Sequence, residues 1–249
     1  MRAYFDLARP GRLLQRYRIL KSAFLDHQFE RRAPIEPLPE AVGSWVHTHP
    51  VVLPPRRYVE TEGGQTMEGI YFLASLVRAL RARHVFEIGT FNGVTTWALA
   101  ENMDGGAVRT LDLPSQDQPA LALERTDHAT RSALTGRRLF EQLPHRAHIA
   151  QLWGDSASFD FSPWYRECDV VYVDGAHSEP YVRSDTATAF ELLAPGGVIV
   201  WDDYWRQVHG VPAVLDELAR DRPLYRVPAT RLVVYLDPGC ELREAAADS

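Results

Sequence analysis

The sequence predicts an α/β fold in which helices cover both faces of a mostly parallel sheet. From residue 66 onward, short apolar segments alternate with amphipathic ones, and such alternation is typical of parallel sheets. The last two strand-like segments are separated only by Pro228-Ala229-Thr230. A link this short permits only an antiparallel hairpin. We therefore predict a doubly wound, seven-stranded sheet that ends in a C-terminal antiparallel hairpin.

The individual elements follow from apolar runs bounded by turn residues and from helical periodicity. Helices are predicted over Met67–Leu80, Val94–Asn102, Thr130–Gln142, Tyr181–Leu193 and Val211–Ala219. Strands are predicted over His84–Ile88, Ala107–Leu113, His148–Leu152, Asp169–Val173, Gly197–Trp201, Leu224–Val227 and Arg231–Leu236.

Residues 1–62 are predicted to form an N-terminal helical and extended appendage to a domain over residues 63–249. Apolar residues at helical spacing among arginines predict a helix from Leu13 to Phe29. Packing on its own domain or on a second subunit is favoured, and the second of these would form a homodimer through the N-terminal segment. Attachment to a membrane surface is the alternative. The prolines crowded into residues 33–57 predict an extended connector without regular helix.

Composition limits the partners and the compartment. The chain has 249 residues and a net charge of −6, which argues against a nucleic-acid substrate. Its two cysteines, Cys168 and Cys240, form no CxxC pair, so neither a zinc site nor a disulfide framework is expected. No apolar run approaches the roughly 20 residues of a membrane span. We predict a cytoplasmic protein that binds neither nucleic acid nor membrane.

The loop after the first strand of the domain has the features of a nucleotide-binding turn. Gly89 allows a sharp turn, and Gly93 would let the helix start lie close to a ligand. Phe91 stands where a dinucleotide fingerprint has its middle glycine, which disfavours pyrophosphate. Glu87 would repel pyrophosphate but could receive an ammonium group, and Asp112 is placed to bind ribose hydroxyls. Alternatively, the glycines serve only turn and packing, and Asp112 is a solvated strand end.

Carboxylates follow the next two parallel strands of the sheet. Asp174, Asp202 and Asp203 are expected to converge at the sheet edge, where α/β ligands bind. Carboxylates this close persist through raised pKa values or around a cation, and oxygen ligands favour Mg²⁺ or Ca²⁺. His177 could accept a proton from a substrate. The alternatives are that the aspartates only cap turns, that His177 is a structural donor, or that His209 is the base.

The segment Glu87-Ile-Gly-Thr-Phe-Asn-Gly93 resembles the first motif of class I S-adenosylmethionine (SAM)-dependent methyltransferases, especially the small-molecule O-methyltransferases. The resemblance covers about residues 62–237 and implies a Rossmann-like fold. It implies that the loop holds the amino-acid part of the cofactor, that Asp112 holds the ribose, and that Gly154-Asp155-Ser156 contacts the adenine. The expected cofactor-binding residues are Glu87, Gly89, Thr90, Phe91, Asn92, Gly93, Thr95, Asp112, Leu113, Asp155, Ser156 and Asp174.

The segments Asp174-Gly-Ala-His177 and Asp202-Asp203 are similar to those of metal-dependent O-methyltransferases that act on catechols and on macrolide sugars. This resemblance implies that Asp174, Asp202 and Asp203 hold Mg²⁺. His177 stands where the catechol enzyme has a catalytic lysine, a departure from the family, so its role as a base is inferred from its own chemistry. The expected catalytic residues are Asp174 and His177.

We expect a SAM-dependent O-methyltransferase that acts on a small hydroxylated acceptor, a sugar or an aromatic natural product. The sulfonium of the cofactor already activates the methyl group, so the enzyme mainly has to align it with the acceptor oxygen. A metal-independent methyltransferase, a methyltransferase for RNA or protein, and a non-catalytic module with the same fold are the alternatives.

Overall fold

The computed structural model describes residues 34–46, 48–59, 64–128 and 137–242. The predicted helix from Leu13 to Phe29 lies outside these residues. Within them the strands are β1 Glu36–Pro37, β2 His84–Ile88, β3 Ala107–Asp112, β4 His148–Trp153, β5 Cys168–Val173, β6 Leu193–Trp201, β7 Leu224–Arg226 and β8 Val233–Leu236. The α-helices are α1 Glu40–Val46, α2 Arg56–Val59, α3 Met67–Ala79, α4 Val94–Asn102, α5 Glu179–Leu192 and α6 Gly210–Leu218.

The described strands form one sheet in the order β4-β3-β2-β5-β6-β8-β7-β1. Strands β2 to β6 run parallel to one another, whereas β8 runs antiparallel to both β6 and β7. The predicted fold class, a mostly parallel sheet with a C-terminal antiparallel hairpin, is confirmed. The eighth strand, β1, pairs with β7 and was not predicted, because two residues with a proline carry no alternating pattern.

The predicted connector without regular helix over residues 33–57 is wrong, since α1 lies within it and α2 begins in it. Each helix begins directly after a proline, Pro39 before α1 and Pro55 before α2. Proline is tolerated at a helix start because the first N–H groups have no partner within the helix. Val42 and Val46 of α1 are buried in the core with residues of α3. Part of the predicted appendage therefore packs onto the domain.

One predicted helix end is also different. Residues 137–142, predicted as the last part of a helix, contain only the 3-10 turn Leu139–Glu141. The Leu139 N–H donates to the Asn92 carbonyl oxygen at 2.9 Å, a partner in the loop after β2. That bond replaces the one an α-helix would make four residues back, and it ties the segment to the predicted nucleotide-binding loop.

Two apolar clusters cover the two faces of the sheet. Alternate residues of β2 point to opposite faces, so Val85 packs with α3 and α4 whereas Phe86 packs with α5 and α6. Both sides of the parallel strands are therefore buried. This leaves the carboxyl edge of β2 to β6, where loops alone cover the strand ends, as the place for a ligand.

Among the described residues, no helix is long and apolar enough to cross a membrane.

Candidate active site

A cavity of about 610 Å³ opens at the carboxyl ends of β2, β3, β4 and β5. This volume lies in the range of small-ligand sites. Seven of the predicted cofactor-binding residues line it: Gly89, Phe91, Asp112, Leu113, Asp155, Ser156 and Asp174. The other five, Glu87, Thr90, Asn92, Gly93 and Thr95, are not among the lining residues.

Gly89 lets the loop after β2 touch the loop after β5. Its φ is +96°, and a Cβ added there would lie 1.9 Å from the Asp174 carbonyl oxygen. Only glycine adopts this conformation without strain and leaves room for that contact. The Asp174 N–H donates to the Ile88 carbonyl oxygen at 2.8 Å. The glycine therefore brings the predicted cofactor loop and the first predicted metal ligand to one wall.

Gly93 has a different role from the one the sequence predicts. Its φ is +71°, and an added Cβ would lie 2.7 Å from the Phe140 ring and 3.0 Å from Arg138 Cβ. The space beside the start of α4 is thus filled by Arg138 and Phe140 of the same chain. The interpretation that Gly93 brings the helix start close to a ligand is not what the structure shows.

Glu87 is buried behind the cavity wall. The hydroxyls of Thr96 and Thr110 both donate to its Oε2 at 2.5 Å. Burial raises the pKa of Glu87 to about 8, although these two hydrogen bonds oppose the shift. Thr90 belongs to the same network, since its Oγ1 lies 2.6 Å from that of Thr110.

Asp112 lines the cavity at the end of β3 and forms an ion pair with Arg138. The distance from Asp112 Oδ2 to Arg138 Nη2 is 2.8 Å, and the Arg138 guanidinium lies over the Trp153 ring, 4.4 Å from its centroid. Arg138 and Trp153 also line the cavity. Sequence reasoning missed Arg138, because it lay within the predicted helix Thr130–Gln142 and no motif marks it as a site residue.

Asp155 ties together three segments of the wall. Its Oδ2 accepts hydrogen bonds from the Tyr181 hydroxyl at 2.8 Å and from the Ala120 N–H at 2.6 Å, and its Oδ1 accepts from the Ala157 N–H at 2.9 Å. The loops after β3 and β4 and the start of α5 are joined at this carboxylate. Asp155 therefore shapes the predicted adenine end of the cavity.

The predicted acidic cluster forms where β5 and β6 end. Carboxylate oxygens of Asp174, Asp202 and Asp203 all lie within 4.8 Å of one another. Asp203 has a φ of +58°, a conformation that most residues avoid and that is concentrated at functional sites. Helix α5 begins at Glu179 with Ser178 at its N-cap, four residues after Asp174, so Asp174 does not cap that helix.

Two of these acids accept hydrogen bonds from neutral side chains. The Tyr172 hydroxyl lies 3.0 Å from Asp174 Oδ2 and 3.2 Å from Asp202 Oδ2. Gln65 Nε2 donates to Asp202 Oδ2 at 2.7 Å. Burial, followed by repulsion from Asp203, raises the pKa of Asp202 to about 6. Burial and the two neighbouring carboxylates also raise the pKa of Asp174 well above its ordinary value.

His177 lies between two carboxylates. Its Nε2 is 2.7 Å from Asp203 Oδ2, and its Nδ1 contacts Asp127 Oδ1, which also accepts from the His177 N–H at 3.1 Å. Burial alone lowers the pKa of His177, but these two partners outweigh it and raise the pKa to about 11. Asp127, on a helical turn over residues 125–128, is a second residue that sequence reasoning missed. His209 is not among the residues that line the cavity.

Arg231, on the segment before β8, adds a cation to the acidic cluster. Its Nη1 lies 2.9 Å from Asp203 Oδ1, and its Nη2 lies 3.8 Å from Asp202 Oδ2. Burial works against the ionised form of Asp203, but His177 and Arg231 hold its pKa below the ordinary value. The three carboxylates fit Mg²⁺ as oxygen donors, although both oxygens of Asp203 already face protein cations.

Comparison with known proteins gives one family match and several structural likenesses. Residues 86–204 match a family model described as a methyltransferase domain. No curated protein matches the chain. The chain is similar to the O-methyltransferase TomG from Streptomyces achromogenes, involved in tomaymycin synthesis, with 20% identity, a TM-score of 0.47, and coverage of 86% of this chain and 96% of TomG.

Two further structures are similar. The methyltransferase PaMTH1 from Podospora anserina has 14% identity, a TM-score of 0.47, and coverage of 87% of this chain and 94% of its own. An O-methyltransferase from Bacillus cereus has 18% identity, a TM-score of 0.42, and coverage of 86% and 97%. The family match begins within β2, continues to the end of β6 and includes every predicted site residue. Residues 86–204 therefore carry a methyltransferase domain, which confirms the resemblance of this part of the chain to the SAM-dependent methyltransferases.

Proposed function

We propose that this protein transfers the methyl group of SAM to a hydroxyl oxygen of a small acceptor, a sugar or an aromatic natural product, with Mg²⁺ held by Asp174, Asp202 and Asp203. The observation that carries the proposal is the convergence of Asp202 and Asp203 on Asp174, which lines the cavity and contacts the loop after β2 at Gly89. A cofactor and a metal-bound hydroxyl would meet at Asp174.

The residues that line the cavity support binding of the cofactor. Gly89 and Phe91 come from the loop after β2, Asp112 and Leu113 from the end of β3, and Asp155 and Ser156 from the loop after β4. We assign these residues, with Asp174, to the amino-acid part, the ribose and the adenine in that order. When bound, the cofactor supplies a methyl group that its sulfonium has already activated for transfer.

The protein's own residues supply alignment and a place for the proton. The acidic cluster would orient the acceptor hydroxyl, and fixed orientation removes much of the entropic barrier to transfer. Asp127 holds the His177 ring at Nδ1, which leaves Nε2 toward Asp203. If the acceptor hydroxyl replaces Asp203 at Nε2, His177 loses one of the two carboxylates that keep it protonated. Its pKa then falls toward the range of a general base.

A second candidate is metal-independent O-methylation. It is favoured by Arg231, because its guanidinium already lies beside Asp202 and Asp203, where a metal ion would neutralise them.

The small cavity and the net charge of −6 favour a small acceptor over RNA. Cytoplasmic location, the lack of nucleic-acid or membrane partners, the domain boundary at residue 62 and a homodimer through residues 1–62 stay predictions.

Transfer of an isotope-labelled methyl group from SAM to a panel of catechols and sugars tests the proposal. The reaction is run with Mg²⁺ and with a strong chelator. We expect an acceptor whose methylation needs Mg²⁺ and falls at least about a hundredfold in Asp203→Asn and His177→Asn. Asp104→Asn, at an exposed acid outside the cavity wall, is the matched control. Full activity in chelator selects the metal-independent candidate, and full activity in both site variants contradicts the proposed roles.

A further inference from the structure

The acidic cluster contains its own cation. Arg231 reaches it from the short connection between β7 and β8, where its Nη1 faces Asp203 and its Nη2 faces Asp202. The same Nη2 donates to the Gly64 carbonyl oxygen at 3.2 Å. The side chain is only 23% exposed. The guanidinium is therefore anchored on the cluster by two carboxylates and one backbone carbonyl.

The charges around the cluster show why this anchor matters. Asp174, Asp202 and Asp203 would otherwise face His177 as their only cation among the groups described above. Asp203 is the acid on which both cations meet, since Oδ2 faces His177 and Oδ1 faces Arg231. A divalent ion bound to Asp203 would stand beside Arg231 and be repelled by it. At short range, such repulsion between partly buried charges is only weakly screened.

We propose that Arg231 is the resident counter-cation of the acidic cluster and sets the metal affinity of the site, so that a divalent ion binds Asp203 only as Arg231 leaves it. This inference rests on the proposed Mg²⁺ site. Arginine is suited to this role because it stays charged and its planar fork can bind two carboxylates at once. The cluster then alternates between an arginine-neutralised state and a metal-loaded state.

The consequence is a metal site of reduced affinity. The guanidinium and the metal ion are linked ligands of the same carboxylates, so removal of one strengthens binding of the other. Arg231→Gln removes the charge but keeps a polar side chain of similar reach. We expect it to bind Mn²⁺, a stand-in for Mg²⁺ with the same oxygen preference, on the order of tenfold to a hundredfold more tightly than the wild type.

The experiment is a Mn²⁺ titration followed by the electron paramagnetic resonance signal of the free ion, with the full-length protein saturated with S-adenosylhomocysteine. Arg231→Lys retains the charge and is expected to bind as weakly as the wild type. Arg226→Gln is the matched control, because it removes a charge from the same hairpin at a residue that bonds the Ile35 carbonyl oxygen instead of the cluster. We expect its Mn²⁺ affinity to equal that of the wild type.

Three results would contradict the proposal in distinguishable ways. Equal Mn²⁺ affinity of the wild type and Arg231→Gln overturns the role of Arg231 and leaves the metal site intact. No Mn²⁺ binding by either protein overturns the metal site as well, while S-adenosylhomocysteine binding still supports the cofactor. Loss of cofactor binding in the wild type refutes the proposed function itself.

A second measurement uses only the wild-type protein and decides the question if Arg231→Gln does not fold. Mg²⁺ is titrated while the side-chain Nε–H resonances of Arg231 and Arg226 are followed by nuclear magnetic resonance. We expect the Arg231 resonance to move with metal binding and that of Arg226 to stay in place. An unchanged Arg231 resonance at saturating Mg²⁺ overturns the proposal.

Discussion

The cofactor end and the metal end of the cleft meet at Asp174, and they stabilise their acids in different ways. At the cofactor end each acid has its own partners: Thr96 and Thr110 for Glu87, Arg138 for Asp112. At the metal end Asp174, Asp202 and Asp203 share one site and repel one another. The first end is preformed by backbone and short hydrogen bonds, whereas the second depends on the cations that enter it.

This difference indicates two roles: the individually paired acids stabilise the shape of the cleft, whereas the shared acidic cluster takes part in its chemistry. Preformed sites bind with little reorganisation and tolerate few changes of backbone. A cluster of like charges changes its arrangement when its cation changes, which is what a site for metal and acceptor requires. We therefore expect backbone substitutions to matter most at the first end and charge substitutions at the second.

The largest expected effect is on folding, at Gly89. Gly89→Ala places a Cβ on the Asp174 carbonyl oxygen at a φ of +96°, and we expect it to lower the free energy of unfolding by about 3 to 5 kcal/mol. Gly43→Ala in α1 is the matched control, since a Cβ there has no neighbour within 4 Å. It should stabilise the protein slightly. Urea unfolding measures both, and equal stability of the two variants would refute the tight contact.

The next effect is a pH dependence of stability that arises from Glu87. Its pKa of about 8 in the folded protein lies above the ordinary value of 4.5, so the folded state keeps a proton that the unfolded state releases. Its contribution to stability is present at low pH and is lost as the pH rises from about 4.5 to 8. The wild type should lose about 1.4 kcal/mol per pH unit relative to Glu87→Gln across this window. Urea unfolding at pH 5.5, 6.5 and 7.5 measures the difference, and parallel profiles would show that Glu87 is ionised when folded.

Removal of the carboxylate at residue 112 should weaken the cofactor site without unfolding the protein. We expect Asp112→Ala to lower the affinity for S-adenosylhomocysteine about tenfold to a hundredfold, because a buried hydroxyl would lose a charged acceptor. Asp104→Ala, at an exposed acid that pairs with Arg78, should leave the affinity unchanged. Calorimetry compares the two, and equal affinities would remove Asp112 from the site.

The smallest effect is expected at Trp153, which is 51% exposed. Trp153→Ala removes the ring beneath Arg138 and should lower the affinity for S-adenosylhomocysteine about two- to fivefold, the size of an exposed cation–π contact. Tyr165→Ala removes an aromatic ring of similar exposure away from the cavity. If both variants bind like the wild type, the Arg138–Trp153 pair does not support the cofactor end.

The sequence predicted the sheet because its signals are local. Apolar runs such as His84–Ile88 define strands by themselves, and the order of strands and helices fixes which ends share an edge. The convergence of Asp174 with Asp202 follows from that edge. The helix α1 was missed because the prolines that mark the connector also stand at helix starts.

The partners of the site residues could not be predicted, because they arrive from distant segments. No motif marks Asp127, Arg138 or Arg231 as a site residue, and only the folded chain brings them to His177, Asp112 and Asp203. At Gly93 the sequence pattern predicted that another group would lie close to the helix start. It did not show that this group would be the Phe140 side chain of the same chain. Sequence patterns predicted which acids belong to the site, whereas their tertiary contacts determine whether each acid is ionised.

A calorimetric titration of S-adenosylhomocysteine into chelator-treated protein, repeated with added Mg²⁺, tests the central claim most directly. The preformed cofactor end predicts binding of one molecule per chain in both conditions, with Asp112→Ala weaker in each. Absence of binding in both conditions would contradict the assignment of the cavity to this cofactor and with it the proposed methyl transfer.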